Sequence, residues 1–226
     1  MKFPKGQQAV RLIVLALITM FGAPSADAEE GPQKRVIRKL RDVDHAIGKM
    51  EAPAREQSHQ TEKVMQILDI AKGDCVADIG AGTGYFSFRL ADRVGAEGTV
   101  YAVEIEEKLL DYLHRKTKDG NIRNVVPVKS SATSPNLPLG SCDVALVVDT
   151  YNYFADPVTF MKELKGALKP GGVVAIINRY RFKQSKAKVR LALVSEVIEE
   201  MNKAGFRLKD SRDILSERFF LIFQRD

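Results

Sequence analysis

The sequence predicts an α/β protein with a mostly parallel sheet, helices on both faces, a terminal antiparallel hairpin and an N-terminal helical cap. Three observations carry this. After Gly73, short apolar runs alternate with helical stripes about ten to fifteen residues long, the signature of repeated β-α units. The last two apolar runs have no helix between them. The region before residue 60 is charged and weakly patterned with helical spacing.

The first 28 residues stand apart. A basic stretch precedes the apolar run Leu12–Phe21, and Ala26-Asp27-Ala28 supplies a small-x-small cleavage pattern. The run is too short to span a bilayer. It reads as a signal peptide over 1–28, with a mature start at Glu29 and export to the periplasm or cell envelope. The formal charge is +6, of which +2 precedes residue 29. Two cysteines cannot build a disulfide framework, and no repeat or dominant residue type points to a fibrous or low-complexity chain.

Residues 29–59 form the expected cap. Val36, Leu40, Val43 and Ile47 make one amphipathic helix, which Ala52-Pro53-Ala54 breaks. Thr61 then caps a second helix through Val64, Ile67 and Leu68. In the 60–226 domain, strands are expected at Cys75–Ile79, Thr99–Glu104, Val125–Val128, Val144–Val148 and Val173–Ile177. Three apolar stripes are helix faces turned to the core: Phe86, Leu90, Val94; Phe160, Leu164, Leu168; and Leu191, Val194, Ile198, Met201. Phe206–Leu208 and Arg218–Phe223 make the hairpin.

The chemistry concentrates in Asp78-Ile79-Gly80-Ala81-Gly82-Thr83-Gly84-Tyr85, where the first strand turns into a helix. Its glycines permit a tight turn and close approach of a ligand to backbone, and the helix that follows offers free N–H groups. Glu104 ends the second strand, where a carboxylate can accept both hydroxyl protons of a ribose. A dinucleotide site would show G-x-G-x-x-G. Neither frame fits, because the sixth position is Tyr85 or Ser87.

This G-x-G-x-G pattern, with Asp78 two positions before it, resembles motif I of the class I methyltransferases, which bind S-adenosylmethionine. Tyr101–Ile105 resembles their ribose-binding strand end, Cys142–Asp149 their fourth strand, and Leu168-Lys169-Pro170-Gly171-Gly172 the turn into their fifth. The resemblance runs from about residue 60 to 226. It is closest to small methyltransferases that carry an export signal, and it implies a Rossmann-like seven-stranded sheet with a reversed last strand. It further implies that Asp78, Gly80, Ala81, Gly82, Gly84 and Tyr85 face the methionine moiety, that Glu104 takes the ribose, and that Ile105 packs on adenine. Ser131-Ala132 stands where members often have Asp-Ala.

Methyl transfer needs alignment more than covalent chemistry. Asp149 and Tyr151, after the fourth strand, are candidates to orient or deprotonate an acceptor; a capping Asp before aromatic core residues is the other reading. The region lacks [Asp/Asn/Ser]-Pro-Pro-[Tyr/Phe], which argues against a nucleic-acid base or glutamine acceptor; a small-molecule substrate is expected. His59, Arg55 and Gln57 lie in the segment that covers the cofactor pocket in many related enzymes. His45, His59 and His114 show no metal-ligand spacing, so no metal is expected. The basic segment 179–190 suits either a solvated loop or an anionic surface. Cys75 opens the first strand and Cys142 precedes the fourth; the resemblance makes these strands parallel neighbours, so the two are either a disulfide or two separate core thiols. An adenosyl-binding module without turnover is the alternative to an enzyme.

Overall fold

The computed structural model describes residues 43–52, 54–179, 194–215 and 217–225. The expected signal peptide, the start of the 29–59 cap with Val36 and Leu40, the Gln57 side chain, Leu191 and positions 180–190 of the basic segment lie outside the described residues.

The chain enters through α1 (Val43–Met50), α2 (Ala54–His59) and α3 (Thr61–Ile67). It then alternates β1 (Cys75–Ile79), α4 (Tyr85–Val94), β2 (Thr99–Glu104), α5 (Glu107–Asp119) and β3 (Val125–Lys129). The second half runs through β4 (Cys142–Val148), a 3-10 turn (Tyr151–Tyr153), α6 (Pro157–Ala167), β5 (Leu168–Arg179), α7 (Val194–Lys203), β6 (Phe206–Arg212) and β7 (Arg218–Arg225). The seven strands lie in the order β3-β2-β1-β4-β5-β7-β6. All neighbours are parallel except β7, which runs antiparallel to both β5 and β6. The strand order reverses between β1 and β4, and at such a switch point a crevice opens beyond the carboxyl ends of the strands.

Both faces are covered at the central strands β1, β4 and β5, which are largely apolar runs. Along β4, Val144, Leu146 and Val148 join one core with Leu90, Val94 and Phe220, while Cys142, Ala145 and Val147 join the other with Phe160, Leu164, Met201 and Phe223. The helical stripes expected from the sequence supply Leu90, Val94, Phe160, Leu164 and Met201, and β7 supplies Phe220 and Phe223. Local chemistry sets the helix starts: Pro157 opens α6 behind Asp156, whose carboxylate accepts from the Thr159 N–H at 3.0 Å. Among the described residues no helix is long and apolar enough to cross a membrane.

Two local expectations are corrected. Thr61 does not cap α3; Gln60 precedes the helix in a left-handed conformation (φ 44°), and the Thr61 N–H donates to Glu56 Oε1 at 3.0 Å. Leu168, read as the last residue of a helical stripe, opens β5 and pairs with Cys142 across a register shift.

Candidate active site at the carboxyl edge of the sheet

The turn from β1 into α4 needs its glycines. Gly80, Gly82 and Gly84 have φ of 74°, 59° and 81°, a region that L side chains rarely adopt. Space is equally restrictive. A Cβ on Gly80 would strike the Thr150 side chain, one on Gly84 would lie 2.8 Å from Leu113, and one on Gly82 would lie 3.0 Å from the Met50 sulfur. The Gly80 and Ala81 N–H groups donate to Val103 O at 2.8 and 3.0 Å, which hooks the turn onto β2.

Two carboxylates flank the turn. Asp78 is buried, and the Ser87 hydroxyl donates to its Oδ2 at 2.6 Å. Burial raises its pKa to about 6 against the opposing pull of Ser87 and Arg55. Glu104 is also buried, and its Oε2 accepts from the Gly82 N–H at 2.8 Å. Its Oε1 accepts from the N–H groups of Ile105 and Glu106 at 2.8 and 2.9 Å. Ile105, beside it, is exposed and offers an apolar surface. Ser131 closes a turn of its own, with Oγ accepting from the Ser134 N–H at 2.9 Å; Ala132 lies in the same turn, which follows β3.

Asp149, the first residue after β4, is held in a left-handed conformation (φ 51°) with its N–H on Ile177 O. Arg218, 2% exposed, donates from Nε to Oδ1 at 3.0 Å and from Nη2 to Oδ2 at 2.9 Å. His59 Nε2 lies 3.1 Å from Oδ2. Burial pushes the Asp149 carboxyl up, yet the hydrogen bonds from His59 and Arg218 and the Arg218 charge outweigh it and bring the pKa down to about 2. Such a group is a permanent anion and a strong hydrogen-bond acceptor.

The cap reaches the same edge. Arg55 and Arg89 both lie over the Tyr85 ring, their guanidinium carbons 4.7 and 3.8 Å from its centroid, and the Tyr85 hydroxyl donates to Glu56 at 2.7 Å. Tyr85 is therefore tied to the cap through its side chain. Glu51 pairs with Lys116 of α5 at 2.9 Å, and Arg218 Nη1 donates to Ser58 O at 3.3 Å.

Thus the structure brings together Asp78, the glycine turn, Tyr85, Glu104, Ile105, Asp149, Arg55 and His59. It does not bring Tyr151. That ring is fully buried against Phe154, and its hydroxyl donates to Glu200 of α7 at 3.0 Å, which places it in the core. Sequence reasoning missed Arg218. The available signal was an arginine at the head of the otherwise apolar run Phe219–Phe223, a position that demands a buried partner.

Residues 77–176 match the family described as methyltransferase domain. The strand order and the reversed β7 match the methyltransferase Rossmann-like fold. The chain is 25% identical over 151 residues to a demethylmenaquinone methyltransferase of Geobacillus stearothermophilus, covering 66% of this chain and 64% of that one. It thus spans somewhat under two thirds of that relative's length. It is 27% identical over 117 residues to the corresponding enzyme of Listeria welshimeri, with 52% and 50% covered. Among solved structures, a SAM-dependent methyltransferase from Aquifex aeolicus matches with a TM-score of 0.76 at 26% identity, over 83% of this chain and all of the other. The [4+2]-cyclase SpnF shares the fold at 16% identity, with a TM-score of 0.65 over 96% and 94% of the two chains.

The residues present fit S-adenosylmethionine. The turn carries no side chain at 80, 82 and 84, Glu104 is a buried carboxylate at the end of β2 bonded to the turn, and Asp78 is a buried acid beside it.

Proposed function

We propose that this chain is an S-adenosylmethionine-dependent methyltransferase that passes a methyl group to a small-molecule acceptor by direct displacement. The observation that carries the reading is the three-glycine, positive-φ turn whose central N–H already binds the Glu104 carboxylate. S-adenosylmethionine supplies an electrophilic methyl group on a sulfonium, so the chain needs only to bind, orient and shield. Glu104 exchanges its Gly82 contact for ribose hydroxyls, Asp78 holds negative charge near the amino-acid end, and Ile105 packs on the base. Ser131 and Ala132 border the adenine. Asp149, fixed by Arg218 and His59, accepts a hydrogen bond from the acceptor and orients it.

The names of the curated relatives favour a quinol-type acceptor over a polynucleotide. Export of the mature chain from Glu29, with the 179–190 segment facing an anionic surface, belongs to the same proposal; the mass of protein from its host reads the first directly. The main test is isothermal titration of the full chain with S-adenosylmethionine, followed by transfer of a labelled methyl group to demethylated quinols. Saturable binding with transfer supports the proposal. Binding without turnover on any small acceptor favours an adenosyl-binding module, and no binding overturns both.

A further inference from the structure

The amino edge of the sheet, opposite the glycine turn, holds a second chemical feature. Cys75 opens β1 and Cys142 opens β4, strands that pair directly, and their Sγ atoms lie 3.8 Å apart with the Cys75 thiol donating to the Cys142 sulfur. Both are free thiols; Cys142 is buried, and Cys75 is partly open to solvent. They are 67 residues apart in sequence. Their relative position is fixed by a third strand end, because the Cys75 N–H donates to Asp143 Oδ2 at 2.9 Å and Lys169 of β5 pairs with the same oxygen at 2.7 Å. The β4–β5 pairing shifts register between Cys142 and Val144, beside one of the sulfurs.

We propose that Cys75 and Cys142 are an oxidative modification site, a dithiol that peroxide converts into an intramolecular disulfide joining β1 to β4. The sulfurs need to close from 3.8 Å to about 2.05 Å, which rotation about the two Cα–Cβ bonds can deliver when the strands are already neighbours. In the first step peroxide oxidises the accessible Cys75 thiol to a sulfenic acid, and its O–O bond breaks with release of one water. The Cys142 sulfur then attacks the Cys75 sulfur, the S–O bond breaks, and the departing oxygen leaves as a second water with the Cys142 proton. Two electrons pass from the pair to one peroxide. Cys142 is placed to attack because its sulfur already lies 3.8 Å from the Cys75 sulfur, with the Ser141 hydroxyl 3.3 Å away. The site is independent of the methyl-transfer reading, since neither cysteine reaches the glycine turn at the other end of β1.

The test is peroxide titration of the reduced full chain under native conditions. Expected are a fall from two free thiols to none, a mass loss of two hydrogens, a peptide that links Cys75 to Cys142, and complete reversal by dithiothreitol. The oxidised chain should melt on the order of 5–10 °C higher, because the bridge closes a long loop in the unfolded chain. Cys75→Ser and Cys142→Ser should each retain one thiol with no internal link. Persisting thiols, separate sulfinic acids, linked dimers or a lowered melting temperature would overturn the proposal.

Discussion

Arg218→Met removes a guanidinium that is 2% exposed and makes three hydrogen bonds to Asp149. Methionine keeps most of the apolar stem, so the loss is mainly electrostatic. Breaking a buried ion pair costs about 3–5 kcal/mol, because the remaining charge is uncompensated. Here the Asp149 side chain is 30% exposed and keeps His59, so the lower end of that range, about 3 kcal/mol, is expected. The variant still folds if the parent has the usual 5–15 kcal/mol. The pH dependence gives a second, independent reading. Asp149 has a pKa of about 2 against an ordinary 3.8, and the difference is worth about 2 kcal/mol. The pKa is depressed in the fold, so this stability is present above pH 4 and is lost as the pH falls towards 2. Urea unfolding of both proteins from pH 7 down to pH 2 should show a gap of about 3 kcal/mol that narrows by up to about 2 kcal/mol below pH 4. A gap under about 1 kcal/mol at pH 7, or one that stays constant to pH 2, would refute the account of Asp149 as a clamped anion.

Glu104→Ala should weaken S-adenosylmethionine by about 1.5–3 kcal/mol in a calorimetric titration, the range for hydrogen bonds to a charged group; unchanged affinity removes the ribose assignment. Gly80→Ala forces an alanine to φ 74° against the Thr150 side chain and should cost at least about 2 kcal/mol of folding stability with loss of cofactor binding; near-wild-type unfolding would show that the turn relaxes. Asp78→Asn should act oppositely on fold and function. Its pKa is raised to about 6, so the ionised form burdens the fold above pH 6 and stability is gained as the pH falls towards 4. The neutral amide removes that burden, and a rise of roughly 1–3 kcal/mol at pH 7 with weaker cofactor binding is expected; a lower melting temperature contradicts it.

The sequence by itself determined the β-α alternation, the strand positions, the terminal hairpin, the three-glycine turn and Glu104. These are local quantities: apolar periodicity, residues that permit positive φ, and spacing along the chain. Tertiary structure decided which side chains meet. His59 and Arg218 lie 90 and 69 residues from Asp149 and converge on it only because α2 folds over the carboxyl edge and β7 comes to lie beside β5. Two residues beyond Asp149, Tyr151 is buried against Phe154 and bonded to Glu200 of α7, and the sequence around it looks equally suited to either destination. The two thiols likewise share one core beneath the sheet because strand pairing, set by the whole fold, fixed the face each one occupies. Chain spacing is silent on these directions, since a side chain's orientation follows from its strand's register and its own φ and ψ, which packing against distant elements selects.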